Sequence, residues 1–177
     1  MTIQAAELAK NVLNRNEAIL LPAVEGLTAE ELRWQPGPDS NPIGWLMWHL
    51  SRVQDNHVSA MAHDKAHVWT TDGWDAKFSQ AGQLDRGRGH TSEQVQGFRP
   101  PDAETLTAYY RAVRAETDKF LDDLTEADLE RPVPALQGDG TLPLHERLEM
   151  VLVDGVQHSG QIAYLRGLLK GKGWFAS

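Results

Sequence analysis

The 177-residue chain contains no cysteine. That absence excludes disulfides, thiolate metal sites and a cysteine nucleophile, so any metal must be held by His, Asp or Glu. The chain also lacks an apolar run near the roughly 20 residues that a bilayer-spanning helix needs, and no membrane partner is expected. Its first residues, "MTIQAAELAKNVLNRNEAILL", have no basic start followed by an apolar block. They do not read as a signal peptide, and a cytoplasmic location is expected. Lys and Arg number 17 against 25 Asp and Glu, a formal charge of −8, and no Lys/Arg cluster is long enough to form a basic stripe. A nucleic acid would meet net repulsion, which sets that partner class aside. Missing too is any useful stretch alternating with the period of two that strands require.

What is present is ordinary for a globular chain: 41% hydrophobic and 24% charged residues. The length suits one domain over residues 1–177 with a sizeable core. Four long segments carry helical periodicity. The first runs from about Thr2 to Val24. The second opens at "NPIGWLMWHL", with Asn41 as cap and Pro42 in the first turn, and continues to about His63. The third follows "RPPD", capped by Asp102, and reaches about Leu124. The last runs from about Pro143 to Leu169 and closes at the glycines of "KGKGW". The fold class expected is all-α, a four-helix bundle.

Two short echoes, "LTAEELRWQP" and "LTEADLERPVP", each pair a Thr with an acid three residues on (Thr28 with Glu31, Thr125 with Asp128). Both read as short extra helices opened by a capping box or something close to one. Between the second and third helices lies a long linker, His63 to Pro101, with Trp69, Trp74 and Phe78 arguing against disorder. The loop over 64–101 is expected to hold a short helix at the capping box "TSEQ" and to cover one end of the bundle.

The last helix carries the chemistry. At 100° per residue Leu144, Leu148, Val151, Gly155, Ile162, Leu165 and Leu169 share one stripe, and His158 falls inside it. Asp154 sits one turn earlier on the flank of that stripe, so both side chains can reach one point near the bundle axis. This is the spacing with which a helix grips a metal ion. In the second helix His49 and His57 both fall on the side defined by Trp45, Leu46, Leu50, Val53, Ala60 and Met61. They stand about 12 Å apart along the axis, too far for one ion on a straight helix. Taken singly, each has a plainer explanation: a core histidine satisfied by a hydrogen bond, or an Asp–His pair bonded to itself. Jointly they are harder to dismiss, because buried ionisable groups are costly unless paired or bound to metal.

"NPIGWLMWHLSRVQDNHV" followed by "HSGQIAYLRGLL", with "GRGHTSEQV" between them, resembles the DinB/YfiT-like superfamily of four-helix metalloproteins. The similarity is greatest to the branch related to mycothiol-dependent maleylpyruvate isomerase and other low-molecular-weight-thiol transferases. The resemblance implies a divalent cation, zinc or nickel, held by His49, Asp154 and His158, and it selects His49 over His57. Relatives show His or Glu where this chain has Asp154, a shorter acid than Glu. The isomerase's C-terminal domain has no counterpart here, so its substrate is not carried over. The function implied is a metal-dependent transferase that activates a low-molecular-weight thiol cosubstrate for attack on a small electrophile. A metal hydrolase on the same scaffold and a non-catalytic bundle with a polar core remain open. Arg52, one turn beyond His49, is a candidate to meet an anionic substrate. His90 in "RGRGH" is a candidate to reach the site from the loop, and Gln161 to hydrogen-bond behind a ligand. Trp45 and Trp48 are expected to pack, and a homodimer is plausible.

Overall fold

The computed structural model describes residues 4–63, 65–80, 82–135 and 138–175. Four long helices dominate: α1 Ala5–Val24, α2 Ile43–Met61, then three short linker helices α3 Val68–Thr71, α4 Trp74–Lys77 and α5 Ser92–Gly97, the long α6 Ala103–Asp123 and the long α7 Leu144–Lys170. Single turns of 3₁₀ helix at Glu31–Arg33 and Glu126–Glu130 stand where the two echoes lie. Thr28 and Glu31 bond each other's backbone N–H reciprocally, and the Thr125 N–H and hydroxyl both donate to Asp128.

Local signals account for the helix starts. Asp102 accepts from the Thr105 N–H and opens α6; Thr91 and Gln94 form the capping box that opens α5. The expected Asn41 cap is not used. Pro42 has an extended backbone (ψ 162°) and occupies the cap position itself, so α2 begins one residue later than expected. A strand pair escaped the sequence reading. β1 Pro132–Pro134 and β2 Thr141–Pro143 form an antiparallel ribbon in the register Val133↔Leu142. Each strand has only three residues, too short for a period of two to register.

Helix α2 packs against α6 and α7, and α1 packs against the same two helices. The apolar core falls into two clusters, which give the direction of every helix. α1 enters at the cluster of Ala9, Leu13, Val58, Met61, Leu121, Leu144 and Val151 and leaves at the cluster holding Leu20, Leu46, Trp48, Leu106, Ile162 and Leu165. α7 runs the same way, whereas α2 and α6 run the opposite way. Since α2 and α6 are parallel, the chain between them must travel back along the bundle, about 28 Å for a 19-residue helix. That is why the linker is long.

The linker therefore does not cap one end, as expected, but runs as a strap along α2. Lys65 N–H donates to the Ser59 carbonyl, and Val68 and Trp69 N–H to Asp55. Asp85 and Leu84 carbonyls meet Arg52, the Arg86 carbonyl meets His49, and Pro100 lies against Gly44. With the strap on one side and helices on the others, 17 of the 19 residues of α2 are buried. The sequence reading of a single apolar side was too narrow because the linker supplies the second cover. No helix among the described residues is long and apolar enough to cross a membrane.

Candidate metal centre

Between the two apolar clusters the bundle carries a layer of polar side chains. α1 contributes Asn16, α2 Arg52, Gln54, Asp55 and His57, α6 Arg114 and Thr117, and α7 Asp154, His158 and Ser159. His49 stands at its edge. Because α2 and α7 are antiparallel neighbours, His49 faces the middle of α7, where the i, i+4 pair Asp154 and His158 projects.

His49, Asp154 and His158 each offer a ligand atom within 4.8 Å of the others. The His158 Nε2 lies 3.4 Å from Asp154 Oδ1, and the His49 Nε2 lies 3.9 Å from the same oxygen. A tetrahedral zinc site with bonds of about 2.1 Å would space its ligand atoms about 3.4 Å apart. The orientation of both rings fits better still. The His49 Nδ1 is bonded to the Arg86 carbonyl and the His158 Nδ1, at 2.7 Å, to the Gln161 Oε1. Each partner can only accept, so the proton of each ring sits on Nδ1 and the lone pair on Nε2, pointing at Asp154. Second-sphere acceptors that fix the tautomer in this way are usual behind metal-binding histidines. A His₂Asp set of nitrogen and oxygen donors suits a first-row divalent cation and leaves positions open for a further ligand.

Burial lowers the pKa of His49, against the opposing pull of the Arg86 carbonyl and Asp154. For His158 burial acts the same way, but hydrogen bonds donated to Asp154 and Gln161 outweigh it and hold the pKa above its ordinary value. A proton on His158 therefore competes with a cation for the same nitrogen.

The strap shapes the site. Gly87, with φ +84°, sits where a Cβ would come 2.6 Å from Trp45 and 3.2 Å from His49 Nδ1. Only glycine lets the backbone approach closely enough for the Arg86 carbonyl to reach the imidazole. Trp45 stacks on His49, ring centroids 4.7 Å apart and 10° between planes. Trp48 packs on Phe98 at 4.8 Å.

Two residues expected at the site do other work in the structure. Arg52 is fully buried, donating to Asp55 (3.2 Å), Tyr109, and the Asp85 and Leu84 carbonyls, with its guanidinium 4.7 Å over the Trp69 ring. Helical spacing placed it one turn from His49, but it points into the linker rather than toward a substrate. His90 donates from Nε2 to Asp85 (2.6 Å) and accepts at Nδ1 from Trp45 (3.2 Å). It braces the tryptophan that stacks on His49 and does not join the three converging side chains. His57 is 3% exposed, and its Nδ1 has no partner among the described residues. Sequence reasoning missed the Arg86 carbonyl, since a backbone oxygen leaves no mark of its own. The one available signal was the alternation of Gly with Arg in "RGRG", which announces close backbone approach.

Among solved structures, a conserved protein from Enterococcus faecalis is similar over 97% of this chain and 100% of its own, with a TM-score of 0.84 and 27% identity. No curated protein matches the sequence. The family model of the DinB superfamily matches residues 13–162, a span that includes His49, Asp154 and His158. The chain belongs to the DinB superfamily.

Proposed function

We propose that this protein is a divalent-metal-dependent transferase that activates a low-molecular-weight thiol for attack on a small electrophile. The observation that carries the reading is the convergence of two Nε2 lone pairs and one carboxylate beside an open cavity, with both Nδ1 protons taken up by the protein. A zinc or nickel ion held there would stabilise a thiolate at neutral pH, although a free thiol has a pKa of about 8.5. The chain has no cysteine, so the sulfur must enter with a cosubstrate. His49 and His158 present their nitrogens in one fixed tautomer; Arg86 and Gln161 hold them so. Trp45 keeps water off one face of His49. The shorter Asp154 still reaches both imidazoles, at 3.4 and 3.9 Å, which supports a working acid at that position.

The test is metal content by elemental mass spectrometry on untagged wild type and His158→Ala, followed by a screen of thiols against electrophiles. About one equivalent of zinc or nickel, lost in the variant, with product formed only when thiol is added, is the expected result. Product without thiol would make the protein a hydrolase, and no metal after incubation with either ion would sink the reading.

A further inference from the structure

A cavity of about 240 Å³ lies beside the three converging side chains, its wall formed by His49 and Asp154 together with His57, Arg86, Arg88 and Met150. Two observations fix its chemistry. The Arg86 guanidinium is half-buried, with the charges of Arg88 and Arg52 near it and the Asp85 carboxylate opposing them. Its hydrogen bond goes to the neutral Asn56 Oδ1 at 3.4 Å, and among the described residues it makes no ion pair. In a chain of formal charge −8, two arginines share this one cavity wall with a single carboxylate, Asp154, and together can attract an incoming anion. The second observation is the buried His57. Its hydrogen bond runs to the Arg147 backbone, which leaves Nδ1 without a partner. The ring lines the same wall, so the surface beside the two arginines is polar rather than apolar.

We propose that this cavity is a carboxylate subsite, in which Arg86, with Arg88 beside it, receives the acid group of a small substrate whose reacting end lies at His49 and Asp154. The anion-binding part expected of Arg52 thus passes to the strap, where arginines face the cavity instead of the core. The reading deepens the proposed function and depends on it only for what happens at the reacting end. The carboxylate can arrive on the thiol or on the electrophile; a guanidinium fork binds either in the same way.

The test is calorimetric titration of zinc-loaded protein with two probe pairs: 3-mercaptopropionate against its neutral amide, and succinate against succinamide. Wild type is expected to bind the acid of at least one pair about tenfold or more tightly than the amide, the scale of a charge-assisted hydrogen bond. That preference should vanish in Arg86→Gln, persist in Arg86→Lys and weaken with salt. Preference within the thiol pair places the acid on the thiol, and preference within the succinate pair places it on the electrophile. The succinate arm contains no thiol, so it stands or falls separately from the transferase reading. Equal binding of acid and amide in both pairs would overturn the proposal. So would a preference left intact in both Arg86→Gln and Arg88→Gln, since the metal alone would then be holding the acid. Unchanged zinc content in the variants shows that the Arg86 carbonyl still holds His49. Should Arg86→Gln not fold, Arg88→Gln carries the comparison, with a reduced preference expected and an unchanged one overturning the proposal.

Discussion

Helix α2 presents two polar faces, and they are finished differently. On the side of α6 and the strap, Arg52, Asp55, Tyr109, Gln54 and Thr117 bond one another and the backbone. Asp55 alone accepts from Arg52, Tyr109 and the N–H groups of Val68 and Trp69. Among the described residues no buried side-chain atom of these five lacks a partner. On the side of α7, the His49 and His158 Nε2 atoms both face the Asp154 carboxylate, at 3.9 and 3.4 Å, and the His57 Nδ1 has no partner among the described residues. The lesson is that the first network closes on protein groups and ties elements together, whereas the second turns two nitrogens and a carboxylate toward one point, the arrangement a cation requires. Both faces contain charged residues one turn apart, so composition does not distinguish them; hydrogen-bond accounting does.

The sharpest break of that comparison is in stability. Arg52→Ala leaves Asp55 buried with its charge partner gone and unties Leu84 and Asp85, so it should cost about 3–5 kcal/mol. His49→Ala and His158→Ala in metal-free protein should cost less, about 1–2 kcal/mol, because each loses one hydrogen bond to the protein and a pairing with Asp154 but leaves no charge buried alone. Urea unfolding of the three variants checks this; equal losses would mean that both faces are structural.

The next effect is of pH. Burial pushes the His57 pKa down from its ordinary value to about 4. The unfolded chain then takes up the proton first, so stability present above about pH 6.5 is lost as the pH falls toward 4. The loss should approach 3 kcal/mol, on the order of 1.4 kcal/mol per unit, and His57→Gln should flatten it. His158 acts in the opposite sense. Its raised pKa adds stability that is complete below about pH 6.5 and fades as the pH rises through the folded value. Metal-free protein should accordingly be most stable between the two, as chemical denaturation at stepped pH would show.

Smaller effects sharpen the site side alone. Gln161→Ala frees the His158 Nδ1 and should weaken zinc binding about 10–100-fold while leaving the unfolding midpoint unmoved. Competition with a zinc-sensitive chelator measures the first and thermal melting the second. Gly87→Ala should cost at least about 1–2 kcal/mol from its left-handed backbone, with the clash of the new Cβ against Trp45 and Trp48 added, and should also loosen zinc binding by moving the Arg86 carbonyl. Loss of stability with full zinc affinity would show that the strap does not orient His49.

Much of the architecture was legible in the sequence because helices write their periodicity and caps locally. Asp102 before α6, the Thr91 and Gln94 box before α5, and the apolar stripe of α7 all needed only near neighbours. The Asp154 and His158 pair was legible for the same reason, since one helical turn fixes their separation. The choice of His49 over His57 was not, and came from a resemblance to other proteins. Nor were the parallel course of α2 and α6, the strap that it demands, or the full burial of Arg52, because each depends on contacts between residues 30 or more apart in the chain.

The sequence by itself determined four amphipathic helices, a cysteine-free donor set, and an acid and a histidine on one helical face. Tertiary structure alone decided which histidine of α2 meets them, which arginines face a cavity and which a core, and which nitrogen of each ring is bare. The physical reason is that spacing within a helix is set by 1.5 Å of rise and 100° of turn per residue. The partner of a ring nitrogen is instead whichever carbonyl the fold brings near, and a carbonyl looks the same at every position of the sequence.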